Sequence, residues 1–147
     1  MYQRILVATD GSPLSQKAVR SAIELSEATG AELVALHVVP RYPVSYFEGA
    51  LTLSIEEVAR TEKRWADKAQ LIADEASDEA RAHGVKARSA VVHSDLVGES
   101  IIAAARKNKC DLIVMASHGR KGIKRVLLGS ETQHVLTQGA IPVLVLR

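Results

Sequence analysis

Residues 110–133 read CDLIVMASHGRKGIKRVLLGSETQ. They begin as an unbroken apolar run, LIVMA, then turn into a stretch with three glycines and four basic side chains, Arg120, Lys121, Lys124 and Arg125. A run that is apolar at every position, rather than at every second one, is a strand buried on both faces. Such strands belong to parallel sheets, whose crossovers lay helices on both sides. The fold therefore turns on whether strand and helix alternate through the rest of the chain.

They do. RILVAT (4–9) is another buried strand, and SPLSQKAVRSAIELSEATG (12–30) carries helical spacing. Ser12 suits its N-cap, Pro13 its first turn and Gly30 its stop. ELVALHVV (32–39) is a second strand, ended by Pro40, and RYPVSYFEGALTLS (41–54) reads as an irregular connection. From Ile55 to His83 a long helix is expected. Val58, Trp65, Ala69, Ile72, Ala76 and Ala80 form its apolar stripe, and Gly84 stops it. VKARSAVV (85–92) alternates more and should be a more exposed strand. SDLVGESIIAAARKNK (94–109) is a third helix, CDLIVMA (110–116) the fourth strand, a fourth helix follows Gly129, and IPVLVL (141–146) is the fifth strand. The alternation predicts one α/β domain over residues 1–147, a parallel sheet with helices on both faces and right-handed crossovers.

Composition narrows the function. The chain has 147 residues, enough for one real core, and with 47% hydrophobic but 3% aromatic residues that core is aliphatic and alanine-rich. A net charge of +2 is too small to suggest nucleic acid as a partner. No apolar stretch approaches the roughly 20 residues needed to span a membrane. The N-terminus MYQRILVATD lacks the basic and long apolar regions of a signal peptide, so a cytoplasmic location is expected. Cys110 is the single cysteine and opens an apolar run, where it reads as a small buried hydrophobe. His37, inside a strand, reads as a packed, hydrogen-bonded residue.

In open α/β sheets, ligands bind beyond the carboxyl ends of the strands, where the strand order reverses. Asp10, in ATDGS, stands at such an end, and SHGRKG follows the fourth strand. If those two strands are neighbours, Asp10 faces the glycine loop. Two readings of the loop stay open. Its glycines, basic side chains and the helix start near Ser130 would suit an anion such as phosphate, with Asp10 on a ribose hydroxyl or a metal ion. Alternatively, Ser130 and Gln133 form a capping box and the basic residues are a solvated face. The common phosphate-loop and dinucleotide motifs are absent, as are C-x-x-C and H-E-x-x-H metal motifs. A serine hydrolase using Ser117 is a poor match. Met115 stands where a nucleophile elbow needs glycine, and Glu131 and His134 are too close on one helix to complete a triad.

The chain resembles the universal stress proteins, in particular their adenine-nucleotide-binding branch. That branch is marked by Gly, two residues, Gly, nine residues, then Gly followed by Ser or Thr. Gly119, nine residues and Gly129-Ser130 fit, while Ala116 stands where the first glycine belongs. Directly after LIVM, Ala116 should be strand-like, where alanine costs little. ILVATDGS, LHVV and IPVLVLR extend the resemblance along the whole chain.

The resemblance implies a Rossmann-like, five-stranded parallel sheet in the order 3-2-1-4-5 that binds ATP, with Mg²⁺ carried by the nucleotide near Asp10. Ala8, Thr9 and Asp10 would line the adenosine, and Val38 would meet adenine through its backbone. Met115, Ala116, Ser117, His118, Gly119, Arg120, Lys121 and Gly122 would wrap ribose and phosphates. Gly129, Ser130, Glu131 and Thr132 would close on the phosphates. The function implied is stress-response sensing or regulation, with at most slow ATP hydrolysis; a dimeric interaction module of the same fold without nucleotide is the alternative. The fifth strand would be a sheet edge, and pairing with the same strand (142–146) of a second copy would make a homodimer.

Overall fold

The computed structural model describes residues 1–41, 54–119 and 128–147. The connection 42–53 and the segment 120–127, with Arg120, Lys121, Gly122, Lys124 and Arg125, lie outside the described residues. In chain order the elements are β1 (Arg4–Ala8), α1 (Pro13–Thr29), β2 (Glu32–Val39), α2 (Ile55–Ala82), β3 (Ala87–His93), α3 (Val97–Lys107), β4 (Leu112–Ala116), α4 (Ser130–Gln138) and β5 (Val143–Leu146). All strand pairs are parallel, in the order β3-β2-β1-β4-β5, as the alternation and the resemblance implied.

Successive side chains of a strand point to opposite faces. In β1, Ile5 and Val7 face one way and Leu6 the other, and all three are fully buried. Ile5 and Val7 join Ala18, Val19, Ala22 and Ile23 of α1 and Ala76 and Ala80 of α2. Leu6 joins Ile101, Ile102 and Ala105 of α3, Ile113 and Met115 of β4, and Val135 of α4. The sheet thus separates two cores, which is why the strands read as continuous apolar runs. Alanine on the helices lets them lie close to the branched side chains of the strands. Truncating a residue such as Leu6 to alanine would cost about 2–5 kcal/mol.

The helix ends follow the expected chemistry where it is local. Ser12 Oγ accepts from the Ser15 amide, Pro13 opens α1, and Gly30 ends it at φ +74°. Ser54 and Glu57 form a reciprocal capping box on α2. At its other end the Gly84 amide donates to Arg81 O and the Val85 amide to Ala80 O. This closure draws Val85 into the core, so β3 begins at Ala87 rather than at Val85. α2 is buried at Ala69, Ala73, Ala76, Ser77 and Ala80, whereas Val58, Trp65 and Ile72 of the expected stripe are half-buried. Trp65 donates its indole N–H to Pro40 O, pinning the first half of the helix to the end of β2. Cys110 is buried, and that burial pushes its thiol up to about 11, in keeping with a packing role. Among the described residues, no helix is long and apolar enough to cross a membrane.

Candidate functional site

The carboxyl ends of β1 and β4 lie side by side, because the strand order reverses between them. Past β1 the chain turns at Gly11, φ +78°, into α1. Asp10 is fixed there: its Oδ1 accepts from the Ser12 amide at 2.9 Å, and its own amide donates to Ser15 Oγ. Thr9 is buried; its hydroxyl lies 3.1 Å from Ser15 Oγ and accepts from the Gly11 amide. His37, on β2, is buried with Nδ1 2.8 Å from Thr9 O. A carbonyl only accepts, so Nδ1 carries the proton and ties β2 to the residue before Asp10.

From the other side comes the loop after β4. Ser117 is buried, its amide donates to Leu146 O, and its hydroxyl sits 3.2 Å from His118 Nδ1. A Cβ added at Gly119 would lie 2.9 Å from Asp10 Oδ2, so Asp10 and the glycine loop do meet across the crevice. At Gly129 an added Cβ would lie 3.0 Å from Ser117 O and 3.3 Å from His118 Cα. The Gly129 amide donates to Ser117 O at 2.7 Å, closing the loop on itself where α4 starts. Ala116 is the last residue of β4, paired with Leu146, and is not among the residues with positive φ. Its position is strand-like, so a side chain there meets no backbone strain. Ala8 ends β1, Val38 is half-buried in β2 and Met115 is buried in β4.

Two details differ from the reading of the sequence. Gly129, not Ser130, is the N-cap of α4, so Ser130 and Gln133 do not form a capping box: the Gln133 amide that Ser130 would have capped donates to Gly129 O instead. Glu131 and His134 do not gather around Ser117 either. Glu131 Oε2 accepts from the Gly98 amide at 2.6 Å, and both side chains pack against Gly98 at the start of α3. The arrangement offers Ser117 no acid–base pair from α4.

The helix starts that follow strands differ in one respect. The first turn of α1 has Ser12, and that of α2 has Ser54. The N-cap of α3, Leu96, has no side-chain bond, but Glu131 supplies one from α4. At α4, Gly129 has no side chain to offer, and no side-chain cap is found among the described residues. The first turn of α4, with the positive end of its dipole, starts at Gly129, which closes on Ser117 and His118, the residues leading into Gly119. Among the described residues no group of three or more His, Cys, Asp or Glu could hold a metal ion. Asp10 is the carboxylate that meets the loop.

Against known proteins the chain matches the universal stress protein family model over residues 1–147. It is 32% identical over 149 residues to Universal stress protein MJ0531 of Methanocaldococcus jannaschii, covering all of this chain and 83% of that one. The solved structure of protein MJ0577 from the same organism superposes with a TM-score of 0.81 at 27% identity, covering 99% of this chain and 96% of that one. A universal stress protein solved in complex with cAMP superposes with a TM-score of 0.65 at 26% identity, covering 99% and 97%. With the strand order, the reversal crevice and the match from first residue to last in agreement, the chain belongs to the universal stress protein family.

Proposed function

We propose that the crevice between β1 and β4 binds an adenine nucleotide, ATP with Mg²⁺, and that the protein acts as a nucleotide-governed sensor or regulator in the cytoplasm. The observation that carries this reading is the start of α4: among the described residues no side chain caps it, and it adjoins two glycines whose Cβ positions are already crowded. An anion supplies what those amides lack, and a nucleotide supplies the anion. The related protein bound to cAMP supports the adenine end. Ala8, Thr9, Asp10 and the Val38 backbone would face adenosine. The loop from Met115 through Gly119, with Gly129, Ser130 and Thr132, would face ribose and phosphates. With Asp10 as the nearby carboxylate, Mg²⁺ would be held mainly by the phosphates, where it offsets their charge. Asp10 Oδ1 and Glu131 Oε2 already accept from backbone amides, which suits holding a nucleotide better than activating water. Turnover is accordingly slow at most.

A second copy would pair along β5. Pro142 O and Leu146 O both accept from β4 and the residue after it, so the backbone groups of Val143 and Val145 point away from the sheet, and Leu144 is 40% exposed. Val145→Pro removes an outward donor and should leave a folded monomer by light scattering. A wild type that is monomeric at high micromolar concentration overturns the dimer.

For the nucleotide, the test is a thermal-shift series with ATP, ADP and AMP, with and without Mg²⁺. Ligand at a hundredfold excess over Kd stabilises by about 2.7 kcal/mol, a clear rise in Tm. No rise at millimolar MgATP would sink the reading.

A further inference from the structure

We propose that Glu131 is a positioning residue for the phosphate end of the site: its carboxylate caps α3 from α4 and so holds the first turn of α4 in place. The inference rests on the nucleotide reading above and gives a different task to a residue that the resemblance put on the phosphates.

Gly98 is the second residue of α3, so its amide is one of the four that the helix cannot satisfy internally. Leu96, at the N-cap, makes no side-chain bond to it. Glu131 Oε2 fills the gap from another helix at 2.6 Å. A negative group at a helix N-terminus is favourable electrostatically as well. The next residue, Thr132, is buried and donates its hydroxyl to Ala116 O at 2.9 Å. Two consecutive residues thus fasten the start of α4 on two sides, to α3 and to the end of β4. The space for the first fastening exists because position 98 has no side chain. A Cβ there would lie 2.9 Å from His134 Cδ2 and 3.0 Å from Glu131 Oε2. A carboxylate aimed at a phosphate would repel it; here its charge is directed to another helix, while among the described residues no side chain caps its own.

A group that acts by placing α4 should matter for phosphate and not for adenosine. Calorimetric titration of the full chain with MgATP and with adenosine separates the two. Glu131→Ala should weaken ATP about fivefold, the scale of one helix cap, and change adenosine less than about twofold. Glu131→Gln, which keeps an acceptor for the Gly98 amide, should recover most of the loss. Gly98→Ala touches no ligand and would ordinarily favour a helix. Here it should reproduce the ATP loss by displacing Glu131. Amide exchange at Gly98, read by NMR, should quicken in Glu131→Ala.

Unchanged exchange at Gly98 overturns the capping role. Full ATP affinity in Gly98→Ala, or Glu131→Gln as weak as Glu131→Ala, overturns positioning in favour of a direct contact. If the wild type binds both ligands and all variants keep the ATP-to-adenosine ratio, this inference alone fails. A wild type that binds neither ligand removes the nucleotide reading and this inference together.

Discussion

Two pairs of glycines, one pair at each end of this sheet, do different work. At the amino ends of the strands, Gly30 and Gly84 have φ of +74° and +78°, and a Cβ added to either would meet nothing within 4 Å. They are there for the backbone angle that ends α1 and α2. At the carboxyl ends, Gly119 and Gly129 do not have positive φ, yet an added Cβ would stand 2.9 Å from Asp10 Oδ2 and 3.0 Å from Ser117 O. They are there because another group occupies the space. At the amino ends, Glu32 takes Arg4 and Lys86, and Asp111 takes the amides of Gln3 and Arg4, so each carboxylate is matched within the protein. At the carboxyl ends Asp10 and Glu131 also take backbone amides, but among the described residues no side chain caps the start of α4. One end closes the fold; the other, on the function proposed above, receives the nucleotide.

The sharpest way to break this contrast is Gly129→Val. Two methyls beyond a Cβ already at 3.0 Å from a carbonyl would push the loop away from the start of α4. Nucleotide affinity should fall by about 100-fold or more, about 2.7 kcal/mol, while circular dichroism still reports the fold. Wild-type affinity in a folded variant would take this loop out of the site.

Asp111→Ala strikes the opposite end. It removes the acceptor of the Gln3 and Arg4 amides. Leaving those amides without it should cost about 2 kcal/mol of stability, measured by urea unfolding, with nucleotide affinity unchanged. Acid should do the same job gradually. Partial burial pulls the Asp111 carboxyl upward, but the Gln3 and Arg4 amides outweigh it and hold it below its ordinary value. Hydrogen bonds from Lys86 and Arg4 hold Glu32 below its own. A carboxyl with a depressed folded pKa stabilises the fold above its unfolded pKa, and that contribution is lost as pH falls through the folded value. The Tm should therefore drop as pH falls below roughly 4.5, and drop less steeply in Asp111→Ala, whose stability already lacks this contribution. Equal slopes would show that Asp111 is not a source of the acid sensitivity.

What the sequence made legible was whatever is local. Ser12-Pro13 and Gly30 bracket α1 because caps act over one turn, and RILVA and LIVMA read as buried strands because both faces of each are covered. The meeting of Asp10 with Gly119 was legible only given the strand order, since the two lie at opposite ends of the chain. Glu131 on Gly98 was not legible at all: no spacing rule links a side chain on one helix to the first-turn amide of the helix before it. The sequence even points the other way: it opens this helix at Ser94, whereas α3 begins at Val97 behind Leu96, which has no capping group. The motif S-x-x-Q places the start of α4 one position late, because it has the form of a capping box whether or not its serine stands at the N-cap.

Gly84→Ala tests the amino-end glycines directly. Around the added Cβ there is open space, so only the left-handed backbone resists it. The variant should lose about 1–2 kcal/mol of stability and keep its nucleotide affinity. A loss of affinity with no loss of stability would merge the two classes of glycine.

The smallest effect concerns a lysine that stands where α2 has Gly84. The last helix, α4, ends at Gly139 in an extended conformation, a different device. But α3 ends as α2 does: the Lys109 amide donates to Arg106 O and the Cys110 amide to Ala105 O, just as Gly84 and Val85 bond Arg81 and Ala80. The position equivalent to Gly84 is Lys109, at φ +56°, the only non-glycine with positive φ among the described residues. A lysine there bears the steric strain that Gly84 avoids, whereas glycine would bring greater freedom to the unfolded chain. The first effect is the larger, about 1–2 kcal/mol against about 0.5–1 kcal/mol. Lys109→Gly should therefore stabilise by about 0.5 kcal/mol and raise Tm by about 1–2 °C. A lower Tm would mean that the lysine side chain contributes more at this turn than its backbone strain takes away.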